Sequence, residues 1–327
     1  MLIVGDIGGT KTLLAIYGRE HAPIAQMEYH SASYPALDVM VREFLTTAQC
    51  TVRAACFDVA GPVLHGRAHL TNLPWTVEAN ALRASLGLDE VFLLNDLQAI
   101  AYAVPRLHAE DLHTINTGEP DANGAIAVIA PGTGLGEAYL VWTDSGYLAC
   151  SSEGGHASFA PTDERQAALW RYLNSRFGHV SVERVCSGQG IANIYDFLRN
   201  ADPAAEPPAF TTKLAGAADR TPLISHAGLT DPVGNPLAAA ALDIFGDVLA
   251  DEAGNLALKV LSTGGVYLAG GIPQRLLPKL IDRRFIQAFV NKGRFEEMMG
   301  RLPVHVVMGQ AALLGAALYG LDRLKAT

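Results

Sequence analysis

The stretch Leu2-Ile3-Val4-Gly5-Asp6-Ile7-Gly8-Gly9-Thr10-Lys11-Thr12-Leu13-Leu14-Ala15-Ile16-Tyr17 sets two β-compatible apolar runs on either side of a glycine pair. That pattern predicts a strand, a tight turn and a second strand. Gly8 and Gly9 can take positive φ, so their backbone N–H groups are expected to point at one anion and form a phosphate cradle. Thr10 and Thr12 would add hydroxyl donors and Lys11 a charge. Asp6, leaving the first strand just before the turn, is placed to hold the Mg²⁺ of a nucleotide. A surface hairpin whose glycines serve only turn chemistry would carry the same local pattern.

A second copy distinguishes the two readings. Ala125-Ile126-Ala127-Val128-Ile129-Ala130 runs into Pro131-Gly132-Thr133-Gly134-Leu135-Gly136-Glu137, and Ala138-Tyr139-Leu140-Val141-Trp142 resumes the apolar pattern. A dinucleotide-binding turn would need G-x-G-x-x-G opening a helix; here the spacing is G-x-G-x-G and a strand follows. There is no Walker loop. Two phosphate hairpins, one per half, resemble the superfamily of sugar kinases, actin and Hsp70. The resemblance implies an α/β fold of two ribonuclease-H-like (actin-like ATPase) domains around a central cleft that closes on ATP.

Bulk properties agree with a folded two-domain chain. At 327 residues it exceeds the size at which single cores stop growing. With 50% hydrophobic and 17% charged residues, it lies outside the disordered class. A formal net charge of −9 argues against nucleic acid or an anionic membrane as partner. No secretory leader is expected, since Asp6 and Lys11 interrupt the first apolar run, and no run is long enough for a membrane span. The four cysteines, Cys50, Cys56, Cys150 and Cys186, form no C-x-x-C pair, so buried, reduced thiols in a cytosolic protein are expected.

Further along, Ile24 to Tyr29 reads as a strand and Leu37 to Ala48 as a helix. Ala54 to Val59 is strand-like and ends in Asp58-Val59-Ala60-Gly61-Pro62; ligand sites in open α/β sheets lie at such carboxyl ends. His65 and His69 have the i,i+4 spacing of helical metal ligands, but Gly66 argues against a helix. Thr71-Asn72-Leu73-Pro74-Trp75 precedes a helix predicted from Val77 to Leu86. Val91-Phe92-Leu93-Leu94 is a buried strand with Asn95 and Asp96 at its end, followed by a helix from Leu97 to Val104. Asp96 could serve as that helix's N-cap, which would not explain the Asn beside it.

Ile115 to Gly124 carries the strongest boundary signal. In Glu153-Gly154-Gly155-His156 a carboxylate and an imidazole flank two glycines expected to let ligand atoms approach the backbone. Glu183 alone would read as a solvated charge or capping partner. Helices are predicted at Asp163 to Phe177, Gly190 to Leu198 and Pro236 to Leu261. Ala201 to Pro222 reads as a mobile surface segment. Val266 to Ala269 is a strand, Gly270-Gly271-Ile272-Pro273 a turn able to face an adenine or ribose, Pro303 to Met308 the last strand, and Gly309 to Leu324 a helix packing back on the first domain. The expected domains are therefore 1–110 with 309–327, and 111–308.

Taken with Asn95-Asp96-Leu97-Gln98-Ala99-Ile100-Ala101-Tyr102, Glu183-Arg184-Val185 and Leu268-Ala269-Gly270-Gly271-Ile272, these motifs resemble the bacterial glucokinase family over nearly the whole chain. The resemblance implies an ATP-dependent kinase making glucose 6-phosphate. It implies that Asn95, Asp96, Glu153, His156 and Glu183 bind the sugar, with Asp96 as catalytic base. Gly8, Gly9, Thr10, Lys11, Thr12, Gly132, Thr133, Gly134, Gly270 and Gly271 would hold the nucleotide, Asp6 its Mg²⁺, and the protein would be a homodimer. Lys11 stands where these kinases usually carry Asn, and Gly-Gly-Thr-Lys is familiar from the related repressor/open-reading-frame/kinase (ROK) branch, whose Cys-rich zinc loop has no counterpart here. A kinase of another hexose or N-acetylated amino sugar, and a non-catalytic sugar sensor, are the alternatives.

Overall fold

The computed structural model describes residues 1–18, 22–70, 73–144 and 146–326. The chain divides into two units: Met1–His108 with Tyr147–Ala149 and Gly309–Thr327, and Ala109–Gly146 with Cys150–Met308.

The first unit begins with β1 (Leu2–Ile7), β2 (Lys11–Tyr17) and β3 (Pro23–His30). The expected hairpin is present: Leu2 lies opposite Tyr17 and Ile7 opposite Thr12. α1 (Leu37–Ala48) turns Leu37, Met40, Val41 and Phe44 into the core, the one-sided spacing that drives an amphipathic helix to dock. β4 (Ala54–Val59) is buried along its whole length, as a central parallel strand must be. A small ribbon of β5 (Arg67–His69) and β6 (Thr76–Glu78) follows, then α2 (Ala79–Leu86), β7 (Glu90–Asn95) and α3 (Asp96–Ala103). The helix predicted from Val77 thus starts at Ala79, because Val77 pairs with Ala68 across the ribbon. Thr71 and Asn72 lie outside the described residues. His65 has φ 52° and His69 sits in β5, so the i,i+4 pair is not helical.

The sheet order is β3-β2-β1-β4-β7, with β1, β4 and β7 parallel.

The second unit repeats this order. β8 (Leu112–Asn116) precedes β9 (Ile126–Pro131), β10 (Leu135–Thr143) and β11 (Gly146–Ser152). Five helices follow: α4 (Glu164–Phe177), α5 (Gly188–Ala201), α6 (Pro208–Ala215), α7 (Thr221–Thr230) and α8 (Pro236–Val260). Then come β12 (Gly265–Leu268), α9 (Gly271–Arg275), α10 (Leu277–Leu280), α11 (Arg283–Val290), α12 (Glu296–Gly300) and β13 (Val304–Val307). The sheet reads β11-β10-β9-β12-β13, with β8 added antiparallel at the β13 edge.

β8 places Ile115 inside this sheet, so the Gly- and Pro-rich boundary signal falls within the second unit and the division lies at His108. Ala201 to Pro222, expected to be a mobile surface segment, carries all of α6 and the start of α7. Pro208 and Pro222 sit in their first turns, where a missing N–H costs nothing. α8, 25 residues long, is apolar around most of its circumference and forms the spine of the core.

The chain then returns to the first unit as α13 (Ala311–Ala326). Leu313, Ala316 and Ala317 pack with Leu2, Val4, Cys56 and Ala99. A Cβ at Gly315 would overlap the Ala99 carbonyl oxygen, so glycine sets how closely α13 and α3 cross.

Candidate active site

In the first unit, three carboxylates gather at the carboxyl ends of parallel strands. Asp6 of β1 is the register partner of Asp58 of β4, and Val59 is the partner of Asn95, directly before Asp96. Asp58 is fully buried, and neither of its oxygens has a hydrogen-bond partner among the described residues. Burial, followed by the charges of Asp6 and Asp96, holds its carboxyl well above the usual carboxylate range. Burial also raises Asp6.

Asp96 is pushed up to about 6, chiefly by burial and also by the Asp6 charge, against the lowering effect of the Leu97 N–H and the Asn95 amide. Asp58 was not assigned a role from sequence, although a lone carboxylate ending the apolar run Ala54-Ala55-Cys56-Phe57 was its signal.

The head of α3 differs from the expected arrangement. Asn95, not Asp96, is the N-cap: its Oδ1 accepts from Leu97 N at 3.0 Å and Gln98 N at 3.2 Å. Its Nδ2 donates to the Gly61 carbonyl at 3.0 Å and to Asp96 Oδ1 at 2.9 Å. Two donors and two acceptor positions are therefore occupied, which is the full capacity of an amide. Asn95 acts here by holding Asp96 and the loop after β4; a sugar hydroxyl would have to displace one of these bonds.

The first hairpin is shaped by its neighbours. Gly8 and Gly9 are not among the residues with positive φ, and Gly8 N is used inside the turn, donating to the Lys11 carbonyl at 3.0 Å. A Cβ at Gly8 would stand 2.7 Å from that carbonyl oxygen, so close approach, not left-handed backbone, requires this glycine. Thr12 is completely buried and its hydroxyl meets Ser31 Oγ at 3.0 Å, while Ser31 Oγ donates to the Gly8 carbonyl at 2.8 Å. Thr12 therefore pins the hairpin and is not exposed to a phosphate. Lys11 Nζ pairs with Glu28 at 2.7 Å on the solvent side. Thr10 remains exposed at the tip.

In the second unit, Glu153, His156 and Glu183 converge. Glu153 opens a 3₁₀ turn, Gly154–His156, closed by His156 N donating to the Glu153 carbonyl at 3.0 Å. The segment bearing Glu183 is tied to this turn through Val182 N to the Ala157 carbonyl at 2.9 Å and Phe159 N to the Val180 carbonyl at 2.9 Å. His156 Nε2 lies 3.9 Å from Glu153 Oε2 and His156 Nδ1 lies 4.0 Å from Glu183 Oε1. These separations are too long for direct hydrogen bonds.

The Glu153 side chain is 80% exposed and its capacity is open to a ligand. Glu183 Oε2 accepts from Leu135 N at 3.0 Å, and a Cβ at Gly134 would collide with it. Ser187, not Glu183, caps α5. The glycines between Glu153 and His156 do not open space for a ligand: a Cβ at Gly154 would overlap Glu137 Oε2, and one at Gly155 the Leu135 carbonyl oxygen.

The second hairpin has the register Pro131 opposite Leu135, with Gly132 N donating to the Gly134 carbonyl at 2.8 Å. Thr133 is exposed at its tip. Gly188, at the head of α5, donates to the Gly132 carbonyl at 2.8 Å. A Cβ at Gly188 would stand 3.7 Å from both Ile272 Cδ1 and Thr221 Cγ2. Those two residues line a pocket of about 230 Å³ with Pro222, Ser225, His226, Leu229, Arg275 and Leu276. Gly270, with φ 85°, is the N-cap of α9; the predicted turn is thus the head of a short helix beside the second hairpin. The contribution of α7 to this pocket had no signal in a stretch that read as irregular.

A doubled sheet order, each copy led by its own glycine–threonine hairpin, together with carboxylates at parallel strand ends, defines an actin-like sugar kinase. A family model described as Glucokinase matches residues 3–323. The chain belongs to the glucokinase family. It is 38% identical over 336 residues to a glucokinase of Nostoc punctiforme, covering 97% of this chain and 98% of that protein. A glucokinase of Nostoc sp. is 39% identical, again over 97% of this chain and 98% of the relative. The crystal structure of a glucokinase from an Antarctic psychrotroph superposes with a TM-score of 0.84 at 32% identity, covering 98% of both chains.

Proposed function

We propose that the protein transfers the γ-phosphoryl group of ATP to the 6-hydroxyl of glucose, giving glucose 6-phosphate and ADP. The observation that carries this reading is Asp96, a carboxylate held by the Asn95 amide and the Leu97 N–H at the head of α3 and raised to about 6. A base with that affinity is ionised at neutral pH yet basic enough to take a proton efficiently. As the hydroxyl oxygen attacks the γ-phosphorus, Asp96 accepts its proton, the bond to the β–γ bridging oxygen breaks, and ADP leaves. Glu153, His156 and Glu183 bind ring hydroxyls, each of which can donate and accept. The two hairpins would hold the phosphates through Gly9, Thr10, Thr133 and Gly134. The pocket beside Gly270 and Gly271 takes the adenosine.

Mg²⁺ fits the first unit. No group of three or more metal-ligating side chains is found among the described residues, but Mg²⁺ commonly uses only one or two carboxylates with substrate phosphates and waters. Asp6, with Asp58 beside it, would hold it. When bound, it neutralises phosphate charge. The protein is a cytoplasmic homodimer in this reading, as the family resemblance implies; sedimentation of the purified chain checks the dimer.

Asp96→Asn tests the reading. The variant should lose about 10²- to 10⁴-fold in kcat, with glucose binding by calorimetry and melting temperature close to the parent. A kcat within about threefold of the parent would remove Asp96 as base.

A further inference from the structure

Glu137 is the one carboxylate of β10, a strand otherwise built from Leu135, Gly136, Ala138, Tyr139, Leu140, Val141, Trp142 and Thr143. It is 1% exposed, and its Oε1 has no hydrogen-bond partner among the described residues. Against it lies the backbone of the turn that carries Glu153 and His156, so close that a Cβ at Gly154 would overlap Glu137 Oε2. Ser152 Oγ, accepting from Gly154 N at 3.0 Å, also holds the turn. The charged and titratable groups facing Glu137 come from two further elements. α8 supplies buried Glu252, with Lys259 at 3.4 Å from it and Asn255 at 3.1 Å, and the segment before α5 supplies buried Cys186.

We propose that Glu137 is a positioning residue for sugar binding: its uncharged carboxyl props the Glu153–His156 turn where those side chains meet the sugar, and ionisation of Glu137 releases the turn. The proposal rests on the reading of Glu153 and His156 as sugar ligands. An ionised carboxylate with one oxygen buried and unpartnered, beside the like charge of Glu252, is costly, and lifting the turn off Glu137 would relieve that cost. Burial, then the Glu252 charge, against the opposing Lys259, push Glu137 up to about 7. The two positions of the turn would therefore exchange populations near neutral pH. Because only the seated turn presents Glu153 and His156 together, glucose affinity falls as Glu137 ionises.

The test is equilibrium glucose binding by the full chain, without nucleotide, at about pH 6 and about pH 8.5, on either side of the Glu137 transition. The parent should weaken at least about threefold across that range. Glu137→Gln, neutral and of the same shape, should match the parent at the lower pH and stay within about twofold at the higher one; groups common to both proteins cancel in the comparison. Glu137→Ala should lose about tenfold or more at both pH values. If the Ala variant does not fold, the Gln profile decides alone. A Gln variant that keeps the parent's pH dependence overturns the positioning role. Glu153→Gln separates the two claims: unchanged glucose affinity there overturns the sugar-ligand reading and this proposal with it, whereas a weakened Glu153→Gln beside a pH-dependent Glu137→Gln overturns the proposal alone.

Discussion

At Asp96, burial and the neighbouring Asp6 oppose three hydrogen bonds, from the Leu97 N–H, the Asn95 amide and its own N–H, and burial wins, bringing the carboxyl to about 6 from its usual 3.8. An unperturbed aspartate would stay ionised well below that pH. A base must be ionised to act, so kcat/KM for glucose should fall on acidification with an apparent pKa near 6, read from initial rates on free enzyme. A profile flat down to about pH 4.5 would contradict the assignment. Glu153, exposed and unpaired at hydrogen-bond distance, should respond differently. Glu153→Gln replaces a charge-assisted hydrogen bond, so KM for glucose should rise about tenfold while kcat changes little. An unchanged KM would move Glu153 out of the sugar site. At this scale the sequence showed which residue types mattered better than what each does. The family resemblance implied Asn95 as a sugar ligand, and that Asn95 and not Asp96 caps α3 is hidden until the helix is known to start at Asp96. Asp58 was visible at its strand's end but given no role, and Glu137 was passed over because it lies in an apolar strand, where its burial is a fact of packing.

The hairpins show how an element gets its shape from residues distant in the chain. The glycine turns were legible because two apolar runs with glycines between them have few other conformations. The Gly8–Lys11 hydrogen bond and the Ser31–Thr12 pair were not, since Ser31 arrives from beyond β3 and contributes only through tertiary contact. Ser31→Ala removes the hydroxyl that joins the Gly8 carbonyl to buried Thr12. The expected cost is about 1–3 kcal/mol of stability by denaturant titration, with KM for ATP raised and glucose affinity unchanged. A variant with the parent's KM for ATP would show that the pin does not shape the phosphate hairpin. α1, α4 and α5, with one-sided spacing, and α8, a long apolar run, were predicted within a few residues. α6 and α7 were hidden because Ala, Pro and Thr carry little periodic signal, and Pro in a first turn looks the same as Pro in a loop.

For the whole molecule, the buried acids set how stability varies with pH. Asp6, Asp58, Asp96 and Glu137 are all raised on folding. For such groups the folded state prefers the proton, so their favourable contribution is complete below the unfolded values of 3.8 to 4.5 and is lost as pH rises through about 6 for Asp96 and about 7 for Glu137. Asp196 and Asp322 work in the opposite direction: despite burial, hydrogen bonds from Arg220 and Tyr102 respectively, with nearby cations, lower them, and that stability is lost in acid. Tm of the ligand-free protein should therefore decline from about pH 5.5 to about pH 8. Asp58→Asn should shrink that decline in scanning calorimetry, and an unaltered slope would mean that Asp58 is not a buried acid. The central claim is the reaction itself, and it is tested most directly by ADP release from Mg²⁺·ATP over a panel of hexoses and N-acetylated amino sugars. The account predicts glucose-dependent ADP formation with kcat/KM for glucose at least about tenfold above every other sugar, since polar groups covered by a bound sugar discriminate against one that leaves them unpaired. No glucose-dependent ADP release, or a higher kcat/KM for another sugar, would contradict it.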